Sequence, residues 1–207
     1  MEIRANICYN DKEKRNEKIC KERECAYMKS IYILLTRSNT VVSRMVSITT
    51  ADKYTHVSIS FEKNLTPLYS FARRFIRTPL PAGLRPEYLD QGFFKKHPRI
   101  PCALYELEVE DEIYYNAKHA VESMMLNADK YKFNIWGLLM CRLSIPSHRK
   151  NHYFCSEFVS KVLLDSNALP LPKEPSLMRP YDYAKLPDLV CRFEGRVGGL
   201  AEQMIPT

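Results

Sequence analysis

Two stretches of this sequence carry residue types able to do acyl-transfer chemistry. Residues 152–159 read His-Tyr-Phe-Cys-Ser-Glu-Phe-Val, and Cys155 opens a helical pattern in which Phe158, Val159, Val162 and Leu163 share a face. A thiol attacks a carbonyl carbon only as its thiolate, and the first turn of a helix favours that anion. Residues 54–59 read Tyr-Thr-His-Val-Ser-Ile, with His56 near the start of an alternating strand pattern. An imidazole can take up the thiol proton and later deliver it to a leaving group, while a third polar group holds its tautomer. Each residue also has a plain structural reading: a cysteine before an amphipathic helix as a small buried hydrophobe, a strand histidine as a satisfied surface or core residue. Spacing alone does not bring the two together.

The elements that must position them follow from periodicity. Ile31–Leu35 is a continuous apolar run that suits a buried strand, and residues 54–61 and 65–72 form two strands around a turn at Lys63-Asn64. Pro67 argues for an edge position or a bulge in the second of these. Residues 40–47 suit a short helix capped by Ser38 or Asn39. Residues 73–101 hold five prolines and seven Lys/Arg residues against Glu87 and Asp90, and read as a long irregular loop. Arg73, Arg74 and Arg85 on it are candidates to bind a carboxylate or phosphate, the plain alternative being a solvated basic loop. A strand over 103–109, a helix over 112–127 capped near Asp111, an apolar stretch over 133–143 around Trp136, a polar basic loop over 144–152, a helix over 155–164 and a last strand over 189–197 complete the pattern.

The chain has 207 residues, 45% hydrophobic and 27% charged, which suits one globular domain with an extension. The extension is residues 1–29, dense in alternating charge and expected to be an exposed helix or disordered; the domain is 30–207. No apolar run reaches the roughly 18 residues of a membrane span, and residues 1–27 lack the apolar core of a signal peptide, so a soluble, cytoplasmic protein is expected. The net charge of +7 favours anionic partners but is too diffuse to indicate nucleic acid. The seven cysteines are expected as reduced thiols, and Cys8, Cys20 and Cys25 lack the fourth partner of a zinc site. No metal or organic cofactor is implied.

The order of strand with His56, hairpin, long loop, strand, helix, then Phe-Cys-Ser-Glu-Phe-Val at a helix start resembles the circularly permuted papain-like cysteine hydrolases. These are the YiiX/YaeF branch of the NlpC-type superfamily, with lecithin retinol acyltransferase as a cousin. The likeness covers roughly residues 30–197 and rests on Thr-His-Val-Ser-Ile and Tyr-Phe-Cys-Ser-Glu-Phe-Val, with Asp182 to Gly195 similar to the family's C-terminal end. It implies an α+β domain with a mostly antiparallel central sheet packed against helices, in permuted papain-like topology. It also implies Cys155 as nucleophile and His56 as general base and acid.

The family's third residue is a polar group on the strand after the histidine strand, commonly Glu or His. Folding residues 56–72 at Lys63-Asn64 brings Tyr69, Ser70 and Phe71 nearest His56, so Ser70 is the small polar candidate, with Glu62 at the turn too far away. Serine departs from the common pattern, since it can orient an imidazole but cannot stabilise imidazolium as a carboxylate does. That leaves open weaker activity, another orienting group or a degenerate site. The backbone N–H of Cys155 is the natural oxyanion donor, with the Tyr54 hydroxyl as an auxiliary candidate against a packing role. His148 and His152 are rival bases by proximity, and on a polar loop with Arg149 and Lys150 they suit solvent or substrate contact; His152 is kept as a substrate-binding candidate.

The implied function is a thiol hydrolase cleaving a peptide or N-acyl amide through an acyl-enzyme, its substrate small and of anionic character. Two alternatives stand beside it. One is a lipid acyltransferase or phospholipase-like enzyme, for which Ile135–Leu143 is the candidate apolar contact if it is not core. The other is a non-catalytic binding module that retains the fold.

Overall fold

The computed structural model describes residues 27–37, 52–73 and 82–204. The expected helix over 40–47, Arg74, the three N-terminal cysteines and nearly all of the charged extension lie outside these residues. Strand β1 (Met28–Thr36) begins inside the expected extension, so Met28 and Lys29 belong to the sheet. It is followed by β2 (His56–Ser60), β3 (Leu68–Arg73), β4 (Ala82–Glu87), α1 (Gly92–Lys96), β5 (Pro101–Glu110) and α2 (Asp111–Leu126). Then come short β6 (Lys132–Phe133), α3 (Ile135–Arg142), short β7 (His152–Tyr153), α4 (Cys155–Asp165), α5 (Pro180–Tyr183), β8 (Val190–Arg196) and α6 (Val197–Met204).

Six strands form one sheet in the order β4-β3-β2-β1-β5-β8, antiparallel at every pairing. The domain is therefore α+β with an antiparallel sheet and packed helices. The uninterrupted apolar run of β1 makes sense at the middle of this sheet, where both faces are covered. Ile31, Ile33 and Leu35 join Val57, Ile59, Phe71, Tyr105 and Leu107 on one face, under α2 and α4. Tyr32 and Leu34 join Leu68, Cys102 and Leu104 on the other, under α1 and α6.

The inward face of α4 is the one its periodicity predicts. Phe158, Val159, Val162 and Leu163 are all buried, each contributing about 1.5–3 kcal/mol by leaving water. Phe71 of β3 meets Phe158 with ring centroids 5.5 Å apart, so α4 is seated over the β2–β3 hairpin.

Three expectations are corrected. The described part of residues 73–101 is not an irregular loop. Residues 82–87 pair with β3 along its whole length, from Leu68 opposite Glu87 to Arg73 opposite Ala82, and residues 92–96 are helical. The prolines mislead because β4 is an edge strand, where Pro86 withholds no bond the sheet needs. Conversely, β3 lies inside the sheet between β4 and β2, and Pro67 precedes its first residue. Helix α2 has Glu110, not Asp111, at its cap position, and no side chain closes that cap. Among the described residues, no helix is long and apolar enough to cross a membrane.

Candidate active site

Cys155 is the first residue of α4 and is 8% exposed. The cap residue before it is Phe154, which has no side-chain oxygen to offer the open end of the helix. The N–H groups of the first turn have no acceptor within the helix, so those of Cys155 and Ser156 are positioned to receive a developing negative charge. Glu157, third in the helix, lies near the Phe154 backbone N–H, which favours its charged form.

His56 begins β2, and Thr36 of β1 lies directly across from it. The Cys155 side chain lies near enough to the imidazole to help raise its pKa. The imidazole Nε2 lies 2.9 Å from Glu87 Oε2, which leaves Nδ1 as the ring nitrogen available to sulfur. Glu87 is the last residue of β4. The same carboxylate oxygen accepts a 2.8 Å bond from the Ser58 hydroxyl, so one group is held by two residues of one side of β2. His56 and Glu87 side chains are only 15% and 13% exposed.

Burial alone would push the His56 pKa down. The Glu87 carboxylate and the hydrogen bonds to Cys155 and Glu87 outweigh it and raise the group from 6.5 to about 10. Burial likewise opposes ionisation of Glu87, but the His56 charge and the bonds from His56 and Ser58, with Arg85 nearby, hold its carboxyl below the usual range. The pair therefore sits as imidazolium and carboxylate at neutral pH.

Ser70 is buried, and its hydroxyl donates to the Val57 carbonyl at 2.7 Å. With Ile59 opposite Tyr69, Ser70 falls level with Ser58 rather than with His56. The group on His56 is Glu87, one strand further out. Sequence reasoning missed it because proline-rich residues 73–101 hid the strand that carries it; the available signal was the Leu84 and Pro86 alternation ending at an acidic residue. Tyr54 is buried, with its hydroxyl 3.4 Å from Glu194 Oε1 on β8, and burial first, with the Glu194 charge, raises its pKa to about 12. That hydroxyl is directed to β8.

Arg85 is half-buried on β4, two residues from Glu87, and its charge reaches that carboxylate. Arg73 is the last residue of β3. His152 lies on β7 with Nδ1 2.8 Å from the Lys150 carbonyl, and His148 is paired with Glu174.

Two further groups hold the start of α4. The Tyr183 hydroxyl is fully buried, 2.7 Å from the Ser160 hydroxyl, and donates to the Ser156 carbonyl at 3.0 Å. Asn134 caps α3 by accepting from Gly137 N–H at 2.9 Å, and its amide nitrogen lies 3.5 Å from Glu157 Oε2. Burial, opposed by Asn134 and the Phe154 N–H, raises the Glu157 pKa to about 7. Among the described residues, no group of three or more His, Cys, Asp or Glu side chains is placed to hold a metal ion. No family model, curated protein or solved structure matches the chain.

Proposed function

We propose that this chain is a thiol hydrolase that cleaves an amide or related acyl bond through a thioester intermediate, on a permuted papain-like fold. One observation carries the reading: Glu87 Oε2 lies 2.9 Å from His56 Nε2, and the Cys155 side chain at the start of α4 is near enough to His56 to raise its pKa.

Cys155 Sγ attacks the acyl carbon as its thiolate, the proton being held on His56 as imidazolium. The oxyanion that forms is met by the N–H groups at the start of α4. Collapse of the adduct breaks the bond to the leaving amine, which takes the proton from His56. A water then loses a proton to His56, attacks the thioester carbon and releases the acid, restoring the thiolate beside the imidazolium. Glu87 keeps the imidazole oriented and stabilises its charged form throughout. A carboxylate in this place supports turnover over the non-catalytic reading, which drew its strength from a serine there.

The test is mapped alkylation by iodoacetamide at pH 7, together with release of amine from a panel of N-acyl amides. Cys155 is expected to react at least about tenfold faster than the other cysteines, with His56→Ala and Glu87→Gln each removing most of that advantage and Ser70→Ala leaving it intact. Equal labelling of every accessible cysteine in the wild-type chain overturns the reading.

A further inference from the structure

Helix α3 does not bury its apolar residues. Ile135, Trp136, Leu139 and Leu143 stand 50%, 56%, 51% and 60% exposed, and Ile145 just beyond is 49% exposed. At 100° per residue the first four fall within one stripe about 100° wide. The opposite side of the helix, at Gly137 and Cys141, is packed into the protein. This is the reverse of an ordinary surface helix. A contiguous apolar face of this kind on a water-soluble domain marks a contact surface.

The charges around it select the partner. Residues 130–153 contain no Asp or Glu; Arg142 among them is paired with Asp52, so the rim is formed by Lys130, Lys132, Arg149 and Lys150. Lys132, Arg149 and Lys150 are exposed on the segments that enter and leave α3. A second copy of the chain across a two-fold axis would bring this cationic rim against itself. An anionic bilayer surface satisfies both features, with acyl chains for the apolar stripe and headgroup phosphates for the rim.

We propose that the exposed face of α3 inserts into the interface of an anionic lipid bilayer, docking the protein on the membrane surface. The contact also fixes where the site lies. Asn134, which starts α3, touches Glu157, two residues beyond Cys155, so the start of α4 is carried close to the headgroup level. This surface is argued independently of the thiol chemistry.

Trp136 is the only tryptophan of the chain and lies in the stripe, so it reports the contact directly. The full chain is mixed with vesicles of phosphatidylcholine containing phosphatidylglycerol, or of phosphatidylcholine alone, and followed by sedimentation and tryptophan emission. The expected result is co-sedimentation and a blue shift with the anionic vesicles, weakened by salt. A Leu139→Ser/Leu143→Ser variant should lose at least about tenfold in partitioning, and Arg149→Glu/Lys150→Glu a similar amount. Both variants should keep the wild-type melting transition. Failure of the wild-type chain to bind the anionic vesicles overturns the proposal. So does unchanged partitioning in the two variants, or a lipid-free blue shift that tracks dimer formation in sedimentation velocity.

Discussion

At the level of single residues, the His56–Glu87 pair makes stability depend on pH in a definite direction. The folded-state pKa of His56 is raised from 6.5 to about 10, so its contribution is complete below 6.5 and is lost as pH rises through about 10. The Glu87 pKa is lowered from 4.5, so its contribution is complete above 4.5 and is lost as pH falls through its depressed value. Both are therefore in full force between 4.5 and 6.5. In thermal melts, the wild-type midpoint is expected to fall between pH 7 and 10, and Glu87→Gln is expected to flatten that fall by removing the charge that raises the histidine. An equally steep alkaline fall in the variant would mean that another group governs it. Cys155 and His56 were legible because their types and the patterns around them announce a helix start and a strand start. Glu87 was not, because its relation to His56 exists only through a third strand lying between β2 and β4.

Among the elements, the approach of α3 to α4 depends on a glycine. A Cβ on Gly137 would stand 2.1 Å from Asn134 Nδ2 and 2.6 Å from its Cγ, both impossible contacts. Gly137→Ala must then drive the Asn134 side chain out of its cap and away from Glu157. The expected loss is about 1–3 kcal/mol of unfolding free energy, from the displaced cap and the overpacking together. Denaturant unfolding measures it, and an alanine variant of wild-type stability would show that the Asn134 cap carries no weight. The strand and helix periods foretold β1, β2, β5, α2, α4 and β8 to within a few residues, and all of these but β8 have buried residues that recur along them. They failed at β4, whose proline, Pro86, suits an edge. They left Ile135–Leu143 open, because an apolar helix face reads alike whether it meets protein or lipid.

For the molecule as a whole, the sheet is a single antiparallel layer with a core on each face, and the site draws on parts widely separated along the chain. His56 stands on β2, Glu87 on an edge strand and Cys155 at a helix start beyond β7, with β1 and β5 closing the middle of the sheet. Such long-range pairings close late, after their loop entropy has been met. Refolding followed by quenched alkylation at Cys155 should therefore lag the recovery of far-ultraviolet dichroism, and coincident recovery would contradict this. An edge strand is also the last to find its neighbour and the first to leave it. Because the Glu87 carboxylate rides on that margin, a partly unravelled chain loses the group that holds His56 before it loses the middle of the sheet.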